Sequence, residues 1–232
     1  MTPERYDRIC RALNNRQPDL TVITDEVHKP RNLAAIIRTC DAVGIDEVHC
    51  VVPDTGYQTY GGTSASAEKW VSSLYYSDVE TPIAQLHERG FQVVAANLSE
   101  RAVDYRAIDY TKPTALLMGA EIKGVSATAH TLCDHEVVLP MLGMVESFNV
   151  SVACALILAE VQTQREAAGM YKTARLSPEL YRQRFFRWAH PVLADFCDEN
   201  SIPYPPVRED GEVVELSQWY ARETARLKQK VD

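Results

Sequence analysis

Short runs of apolar and β-branched residues recur along the first two thirds of the chain, and stretches with helical spacing separate them. Runs this short are typical of buried β-strands. Because strand and helix patterns alternate, we predict an α/β fold with a mostly parallel sheet that helices cover on both faces. The predicted strands are Leu20 to Thr24, Glu47 to Val52, Phe91 to Ala95, Thr114 to Met118 and Glu136 to Leu139.

Two predicted helices have recognisable ends. Pro30 suits the first turn of a helix that runs to about Val43, where Gly44 can end it. Asp78 can cap a second helix, which ends at Gly90 immediately before a predicted strand. Each helix therefore connects two strands as a crossover.

A third predicted helix opens at Asn149 and runs to about Ala168, with Gly169 as its stop. Its first half is apolar on nearly every face. Such a helix must be buried, either in the core of one chain or across a subunit interface.

Outside this region the chain is predicted to form helical appendages that carry arginine and aromatic residues. At 232 residues, we expect one core. The predicted organisation is an N-terminal helical extension at 1–17, a core at 18–170, and a C-terminal helical extension at 171–232. The turn-rich segment Ile202 to Pro206 separates helices within the last part.

Composition indicates an ordinary globular protein, with 46% hydrophobic and 24% charged residues. No secretory signal or bilayer-spanning stretch is recognisable, so no membrane partner is expected. The six cysteines are scattered without a C-x-x-C pair, which favours free thiols in a reducing compartment. A cytoplasmic location is therefore expected.

A net charge of −8 argues against a nucleic-acid partner, because phosphate contacts need lysine and arginine. The distribution is uneven, however. On charge alone, solvated helix faces are the simpler interpretation of the two locally basic segments. These segments contain Arg5, Arg8, Arg11 and Arg16 near the N-terminus, and Arg165, Lys172, Arg175, Arg182, Arg184 and Arg187 further on.

One common kind of site is excluded and several others are disfavoured. Gly119 and Gly124 have the spacing of a phosphate loop, but the required Gly-Lys-Ser/Thr ending is absent. No G-x-G-x-x-G follows an early strand, which weakens a small-molecule enzyme on a dinucleotide-binding sheet. His130, Cys133 and His135 lack a fourth ligand at a familiar spacing, so no metal site is predicted. The small-residue loop 61–67 has serines but no G-x-S-x-G elbow, so it is interpreted as a connection or a ligand-facing loop.

Three segments stand out together. They are NLAAIIRTCDAVG from Asn32, LMGAEIKG from Leu117, and LPMLGMVESFNVSVA from Leu139. In this order they resemble the three motifs of the SPOUT superfamily of RNA methyltransferases, and in particular the family that methylates the ribose 2′-hydroxyl of the D-loop guanosine at tRNA position 18. The similarity extends from Tyr6 to at least Tyr171 and includes His28-Lys29-Pro30.

The resemblance implies a parallel sheet whose C-terminal part is threaded into a trefoil knot, an exception to the general rarity of knots. It also implies S-adenosylmethionine as cofactor, tRNA as partner, and a homodimer with active sites near the interface. S-adenosylmethionine needs apolar walls and backbone hydrogen bonds more than a phosphate cradle. The expected cofactor-binding residues are Ala96, Leu98, Gly119, Leu139, Met141, Leu142, Met144 and Phe148. For the two methionines, core filling is the alternative.

The resemblance also implies the catalytic residues Arg38, Asn32, Glu121, Ser147 and Asn149. In the family the matching arginine activates the 2′-hydroxyl and the asparagine orients it. A guanidinium stays protonated, so we favour Arg38 as a clamp on a phosphate or on the developing alkoxide. Arg38 could meet Asn32 only by reaching back along the helix, and a surface ion pair with Asp41 or Asp46 is its alternative role.

Structural alternatives also exist for the other three. Glu121 can accept hydrogen bonds from Asn32, Arg38 or substrate, or it can simply stabilise a helix N-terminus. Ser147 and Asn149 can both cap the helix that follows them.

With the core identified by its resemblance, the basic ends become expected tRNA contacts. The residues concerned are Arg5, Arg8, Arg11, Arg16, Lys172, Arg175, Arg182 and Arg184. Three positions depart from the family pattern, since Glu146 stands for a common Gln, Phe148 for a common Leu and Ala96 for a common Thr. These departures put the choice of RNA in question. The alternatives are 2′-O-methylation of ribosomal RNA or of another tRNA position, and a non-catalytic RNA-binding protein on the same fold.

Overall fold

The computed structural model describes residues 1–52, 69–121 and 123–228, so the small-residue loop 61–67 and Ile122 lie outside the described residues. The chain divides into a core unit, residues 16–173, and a terminal unit made of residues 1–15 and 174–232. This division rests on spatial contacts, and the domain boundaries expected after residues 17 and 170 stay predictions.

The helices and strands follow the predicted alternation. In chain order they are α1 (Pro3–Asn14), β1 (Leu20–Asp25), α2 (Pro30–Ala42), β2 (Glu47–Val51), β3 (Ser72–Tyr76), α3 (Glu80–Glu88), β4 (Gln92–Ala96), β5 (Val103–Asp104), β6 (Thr114–Met118), α4 (Ala127–Leu132), β7 (His135–Val138), α5 (Val150–Ala167), α6 (Pro178–Ala189), α7 (Pro191–Glu199) and α8 (Leu216–Lys228).

Seven strands form one sheet in the order β3-β2-β1-β6-β4-β7-β5, and every described pairing is parallel. The predicted α/β class is confirmed, and all five predicted strands are present. Two strands were not predicted. β3 lies at the sheet edge, where Leu74 and Tyr75 are exposed, so it lacks a buried apolar run, and β5 has only two residues.

Both faces of the sheet are covered, as predicted. Successive residues of a strand point to opposite faces. Val22 therefore joins the cluster formed with α2 and α5, whereas Ile23 joins the cluster formed with α3 and α4. Leu116 and Leu117 on β6 divide in the same way.

The helix ends agree with the sequence interpretation. Pro30 occupies the first turn of α2, and Asp78 accepts a hydrogen bond from the backbone N–H of Thr81. Gly44 and Gly169 follow α2 and α5 with φ of +84° and +74°, a left-handed conformation that glycine adopts without steric cost.

Arg165 in the basic segment is a structural residue of the core unit. Its side chain is fully buried, and NH1 pairs with the Asp19 carboxylate at 2.7 Å. It also donates to the carbonyl oxygens of Tyr110 and Lys112. These bonds fasten the end of α5 to the loops before β1 and β6.

The described part of the terminal unit contains the helices α1, α6, α7 and α8. Tyr6 of α1 meets Phe185 of α6 edge-on, with ring centroids 5.5 Å apart. Phe186 stacks on Tyr204 of the proline-rich turn at 4.5 Å. No helix within the described ranges is both long and apolar enough to cross a membrane.

Candidate active site

A cleft of about 960 Å³ opens at the carboxyl-terminal edge of the sheet, where β4, β6 and β7 end and α5 begins. Open parallel sheets bind their ligands at this edge. Nine of the residues expected in the site line the cleft. They are Ala96, Leu98, Gly119, Glu121, Leu139, Met141, Ser147, Phe148 and Asn149.

Asn32 joins two of these lining residues into one hydrogen-bonded chain. Its Nδ2 donates to Oε1 of Glu121 at 2.7 Å, and its Oδ1 accepts from Nδ2 of Asn149 at 3.2 Å. The expected contact between Asn32 and Glu121 is therefore present. Asn149 also accepts from the backbone N–H of Ser151 at 2.9 Å, which makes it the cap of α5. The start of α2, the loop after β6 and the start of α5 thus converge on one point.

Glu121 also binds the backbone at the beginning of α2. Oε1 accepts from the N–H of Lys29 at 3.1 Å, and Oε2 accepts from the N–H of His28 at 3.2 Å. Burial acts to raise the pKa of Glu121, but hydrogen bonds from its own N–H, from Asn32 and from these two backbone groups outweigh burial and lower the pKa. Glu121 is therefore an anionic acceptor at neutral pH, and it holds the amide of Asn32 in one orientation.

Arg38 does not join this hydrogen-bonded chain. Six residues of α-helix correspond to about 240° of rotation and about 9 Å of rise, so Arg38 and Asn32 lie on different sides of α2. Asn32 is buried and Arg38 is exposed. The convergence considered from the sequence is therefore absent within one chain. Asp41, one of the two alternative partners considered for Arg38, instead accepts a hydrogen bond at Oδ1 from NH2 of Arg16 at 2.6 Å.

Gly119 is required by the packing of the loop that follows β6. A Cβ atom at this position would lie 2.2 Å from the carbonyl carbon of Gly124 and 2.3 Å from the backbone nitrogen of Val125. Ala120 and Gly124 form a bridge with N–O distances of 2.9 and 2.8 Å, which closes the loop. The absence of a side chain at Gly119 therefore allows the loop that presents Glu121 to fold back on itself.

Two expected cofactor residues lie elsewhere. Leu142 and Met144 are 100% and 99% exposed, and neither lines the cleft. Their side chains therefore form no wall of the cleft within one chain, and their role in cofactor binding stays a prediction. For Met144 the same exposure excludes core filling. Ser147 lines the cleft but does not cap α5, a role that Asn149 fills alone.

Arg16 is also corrected. Its side chain is 1% exposed, and it donates to the carbonyl oxygens of Ile45 and Trp70 as well as to Asp41. A guanidinium enclosed by the protein in this way cannot bind a phosphate, so Arg16 is not an RNA contact.

The other basic candidates stay predictions. Arg5, Arg8 and Arg11 are exposed on α1, and Lys172 is exposed after α5. Arg182 is exposed and pairs with Glu179 at 2.7 Å, whereas Arg175 and Arg184 are partly buried. The terminal unit has 12 Lys and Arg and 12 Asp and Glu, so the net charge of −8 falls entirely on the core unit. An RNA is therefore repelled less by the terminal unit than by the core.

Sequence reasoning missed three residues at or beneath the cleft. Lys29 and Lys123 line its mouth and add positive charge beside Glu121. Lys29 lies just before the first motif and Lys123 lies within the second, which was the signal in the sequence. Glu136 lies in β7 beside the cleft residues Val137 and Val138, and its signal was an acidic residue at the start of a predicted strand.

Among the described residues, no group of three His, Cys, Asp or Glu side chains is arranged to hold a metal ion. His130 instead pairs through Nδ1 with Oε1 of Glu136 at 2.6 Å.

Two family models match the chain. The SpoU rRNA Methylase family model covers residues 19–159, and the model for the C-terminal part of SpoU rRNA methylases covers residues 163–216. The chain is 46% identical to the tRNA (guanosine(18)-2′-O)-methyltransferase of Escherichia coli over 95% of this chain and 97% of the relative. It is 52% identical to the enzyme of the same name from Thermus thermophilus, over 81% of this chain and 96% of the relative.

The fold is also similar to solved structures of SpoU methyltransferases. The TrmH/SpoU tRNA modifying enzyme of A. aeolicus aligns with a TM-score of 0.76 and 38% identity, over 82% of this chain and 97% of that chain. The SpoU methyltransferase AviRb from Streptomyces viridochromogenes, in complex with AdoMet, aligns with a TM-score of 0.57 and 25% identity, over 66% of this chain and 62% of that chain.

Proposed function

Since this chain belongs to the SpoU methylase family, we propose that it methylates the 2′-hydroxyl of guanosine 18 in tRNA, with S-adenosylmethionine as the methyl donor. The observation that carries the proposal is the chain Asn149–Asn32–Glu121 at a cleft on the carboxyl edge of the sheet. The names and identities of the two bacterial relatives support guanosine 18 as the target.

The residues of the cleft fit S-adenosylmethionine. Leu98, Leu139 and Phe148 provide apolar walls for an adenine ring, and the cleft has the size of a small-molecule site. Gly119 and the ends of β4 and β7 bring backbone groups to the cleft. When bound, the cofactor supplies an electrophilic methyl group for in-line displacement.

The chain's own residues would orient the accepting ribose. The carboxylate of Glu121 fixes Asn32, whose amide lies beside the cleft and can bind the 2′-hydroxyl. Lys29 and Lys123 can hold the phosphate next to that ribose. Arg38 stabilises negative charge that develops on the oxygen as its proton leaves.

We propose that the protein works as a homodimer. An exposed apolar surface, here called the apolar rim, lies beside the cleft. Large apolar patches on a soluble protein mark interaction sites. A second copy of this chain is the occupant that we favour, because the rim is continuous with the cleft through Phe148. The apolar rim consists of Leu142, Met144, Val145, Phe148, Val152 and Leu156.

A dimer would also explain how Arg38 acts. Arg38 lies about 120° around α2 from Asn32 in its own chain and is exposed, so we infer that it reaches the ribose bound by the second copy. Asn32 and Arg38 of one active site would then come from different subunits.

We infer two further family properties. The last strand of the core, β7, lies between β4 and β5, which supports a knotted threading of the segment after residue 135. A cytoplasmic location is proposed because unmodified tRNA is the substrate. It is also supported by the six cysteines, all of which are free thiols.

The test incubates purified protein with unmodified tRNA and labelled S-adenosylmethionine and then analyses the nucleosides and their positions. We expect 2′-O-methylguanosine at position 18, and none in a tRNA with adenosine there. Ribosomal RNA serves as a second substrate. Methylation of ribosomal RNA alone would support the rival target, and no methylation of either RNA at any protein concentration would overturn the enzymatic proposal.

A further inference from the structure

Glu136 is a buried carboxylate beneath the cofactor cleft. It is 2% exposed and lies on β7, immediately before Val137 and Val138, which line the cleft. A charge in such a position is costly unless hydrogen bonds compensate it. Glu136 therefore needs donors, and the structure provides four.

Three of the donors lie on one loop. The segment after β4 contributes Nδ2 of Asn97 at 2.8 Å, Oγ of Ser99 at 2.5 Å and Nε of Arg101 at 2.7 Å. The fourth donor is Nδ1 of His130 at the end of α4, at 2.6 Å. Both carboxylate oxygens are used, and each accepts from two groups.

The three loop donors are alternate residues of the chain. Because the side chains of residues 97, 99 and 101 are directed inward to Glu136, the side chains of the residues between them point outward. Leu98 is accordingly 77% exposed and lines the cleft. An exposed leucine gains free energy when a ligand covers it.

We propose that Glu136 is a positioning residue for S-adenosylmethionine, which anchors Asn97, Ser99 and Arg101 so that Leu98 is presented as an apolar wall against the bound cofactor. This inference rests on the proposed function, since it takes the cleft to be the cofactor site. It assigns a role to a residue that contacts neither cofactor nor RNA.

The electrostatics of the cluster suit a permanent anchor. Burial acts to raise the pKa of Glu136, but hydrogen bonds from Ser99, Asn97, Arg101 and His130 outweigh burial and bring the pKa to about 2. Glu136 is therefore charged at every physiological pH. Arg101 also donates to the His130 carbonyl oxygen and to Sγ of Cys133, which extends the anchor to α4.

A double-mutant cycle tests the proposal by calorimetric binding of S-adenosylmethionine, without RNA. Glu136→Gln directs an amide NH2 at groups that are themselves donors, and it should weaken binding roughly tenfold. Leu98→Ala should weaken it by a similar factor, since one buried leucine side chain accounts for about that much. If Glu136 acts through Leu98, the double variant should bind no more than about threefold more weakly than either single variant.

The steady-state readout separates positioning from general destabilisation. The KM for S-adenosylmethionine should rise in Glu136→Gln, while kcat at saturating cofactor should stay within about threefold. Glu100→Gln is the matched control, because Glu100 is exposed in the same loop, and it should bind like the wild type. If Glu136→Gln does not fold, Ser99→Ala takes its place in the double-mutant cycle, because this variant removes one of the hydrogen bonds that anchor the loop.

The outcomes are distinct. Unchanged cofactor binding in Glu136→Gln, or effects of Glu136→Gln and Leu98→Ala that multiply fully in the double variant, would overturn the positioning role. Failure of the wild-type protein itself to bind S-adenosylmethionine would instead overturn the proposed function.

Discussion

Oε1 of Glu121 accepts a hydrogen bond from Nδ2 of Asn32 at 2.7 Å, although the two residues are 89 positions apart in the chain. The same carboxylate accepts the backbone N–H groups of His28 and Lys29. One side chain therefore positions both the amide of Asn32 and the first turn of α2.

Glu121→Gln should inactivate the enzyme without removing the cofactor site. The new amide group would face three N–H donors with a donor of its own, so Asn32 would lose its orientation. We expect kcat to fall roughly a hundredfold, with S-adenosylmethionine binding within about threefold of wild type. Steady-state methylation and calorimetry measure the two effects. Glu88→Gln, an exposed substitution on α3, is the control, and a Glu121→Gln enzyme with normal kcat would contradict the assignment.

Arg38→Ala should abolish methylation and leave cofactor binding near normal. Loss of a cation that stabilises developing charge costs about a hundredfold or more in kcat. Arg31→Ala is the matched control, because Arg31 is exposed on the same helix. Mixed dimers of Arg38→Ala and Asn32→Ala chains test whether the two groups come from different subunits. Such dimers should regain activity at one site in two, and inactive mixed dimers would contradict the shared site.

Met144→Asp should prevent the proposed homodimer from forming. A carboxylate in place of the fully exposed Met144 of the apolar rim would be buried without a partner on association. Analytical ultracentrifugation across a concentration series measures the change. Val192→Asp, an equally drastic change at an exposed valine of α7, should leave the mass unchanged. A wild-type protein that sediments as a monomer at all concentrations would refute the dimer.

Arg16→Ala should lower the stability of the protein, whereas Arg11→Ala should weaken its binding of tRNA. Arg16 is buried and bound to Asp41, so its removal should lower the free energy of unfolding by about 3 kcal/mol. Arg11 is exposed, so its removal should weaken tRNA binding with little effect on stability. Urea unfolding and tRNA binding at fixed salt distinguish the two. Equal loss of tRNA affinity in folded Arg16→Ala would contradict its structural role.

Acid should destabilise the wild-type protein more than the Glu136→Gln variant. A pKa of about 2, against an ordinary value of 4.5, means that the folded state favours the ionised carboxylate. This stabilisation is complete above about pH 4.5 and is lost as pH falls towards 2, and it amounts to about 3 kcal/mol. Urea unfolding at pH 7 and pH 3 measures the free energy in both proteins. Parallel losses in the two would show that Glu136 does not contribute.

The sequence was sufficient for features that depend on local patterns. Short apolar runs such as Thr114–Met118, separated by helical patterns, predicted the sheet, and nine of the residues that the family resemblance implied line the cleft. Features that depend on distant partners could not be predicted. Glu136 meets Asn97, Ser99 and Arg101 from 39, 37 and 35 residues away, and no local pattern joins them.

The wrong assignment of Arg16 has the same physical cause. Arg16 seemed a surface cation because it follows an arginine-rich helix, yet the carbonyl groups that enclose it come from Ile45 and Trp70. Leu142 and Met144 belong to the same motif as the cleft residues, yet both are exposed in the single chain, so their role in cofactor binding stays a prediction.

The position of β7 between β4 and β5 also affects how the protein is made. Residues 135–138 leave the ribosome after both of their neighbours, so one edge of β4 stays unpaired until most of the core has been synthesised. Unpaired strand edges on a nascent chain promote aggregation. Slow translation before residue 135 would lengthen the time for which this edge is exposed, whereas chaperone binding would shield it. The yield of active enzyme should therefore depend on how long the edge of β4 stays unpaired.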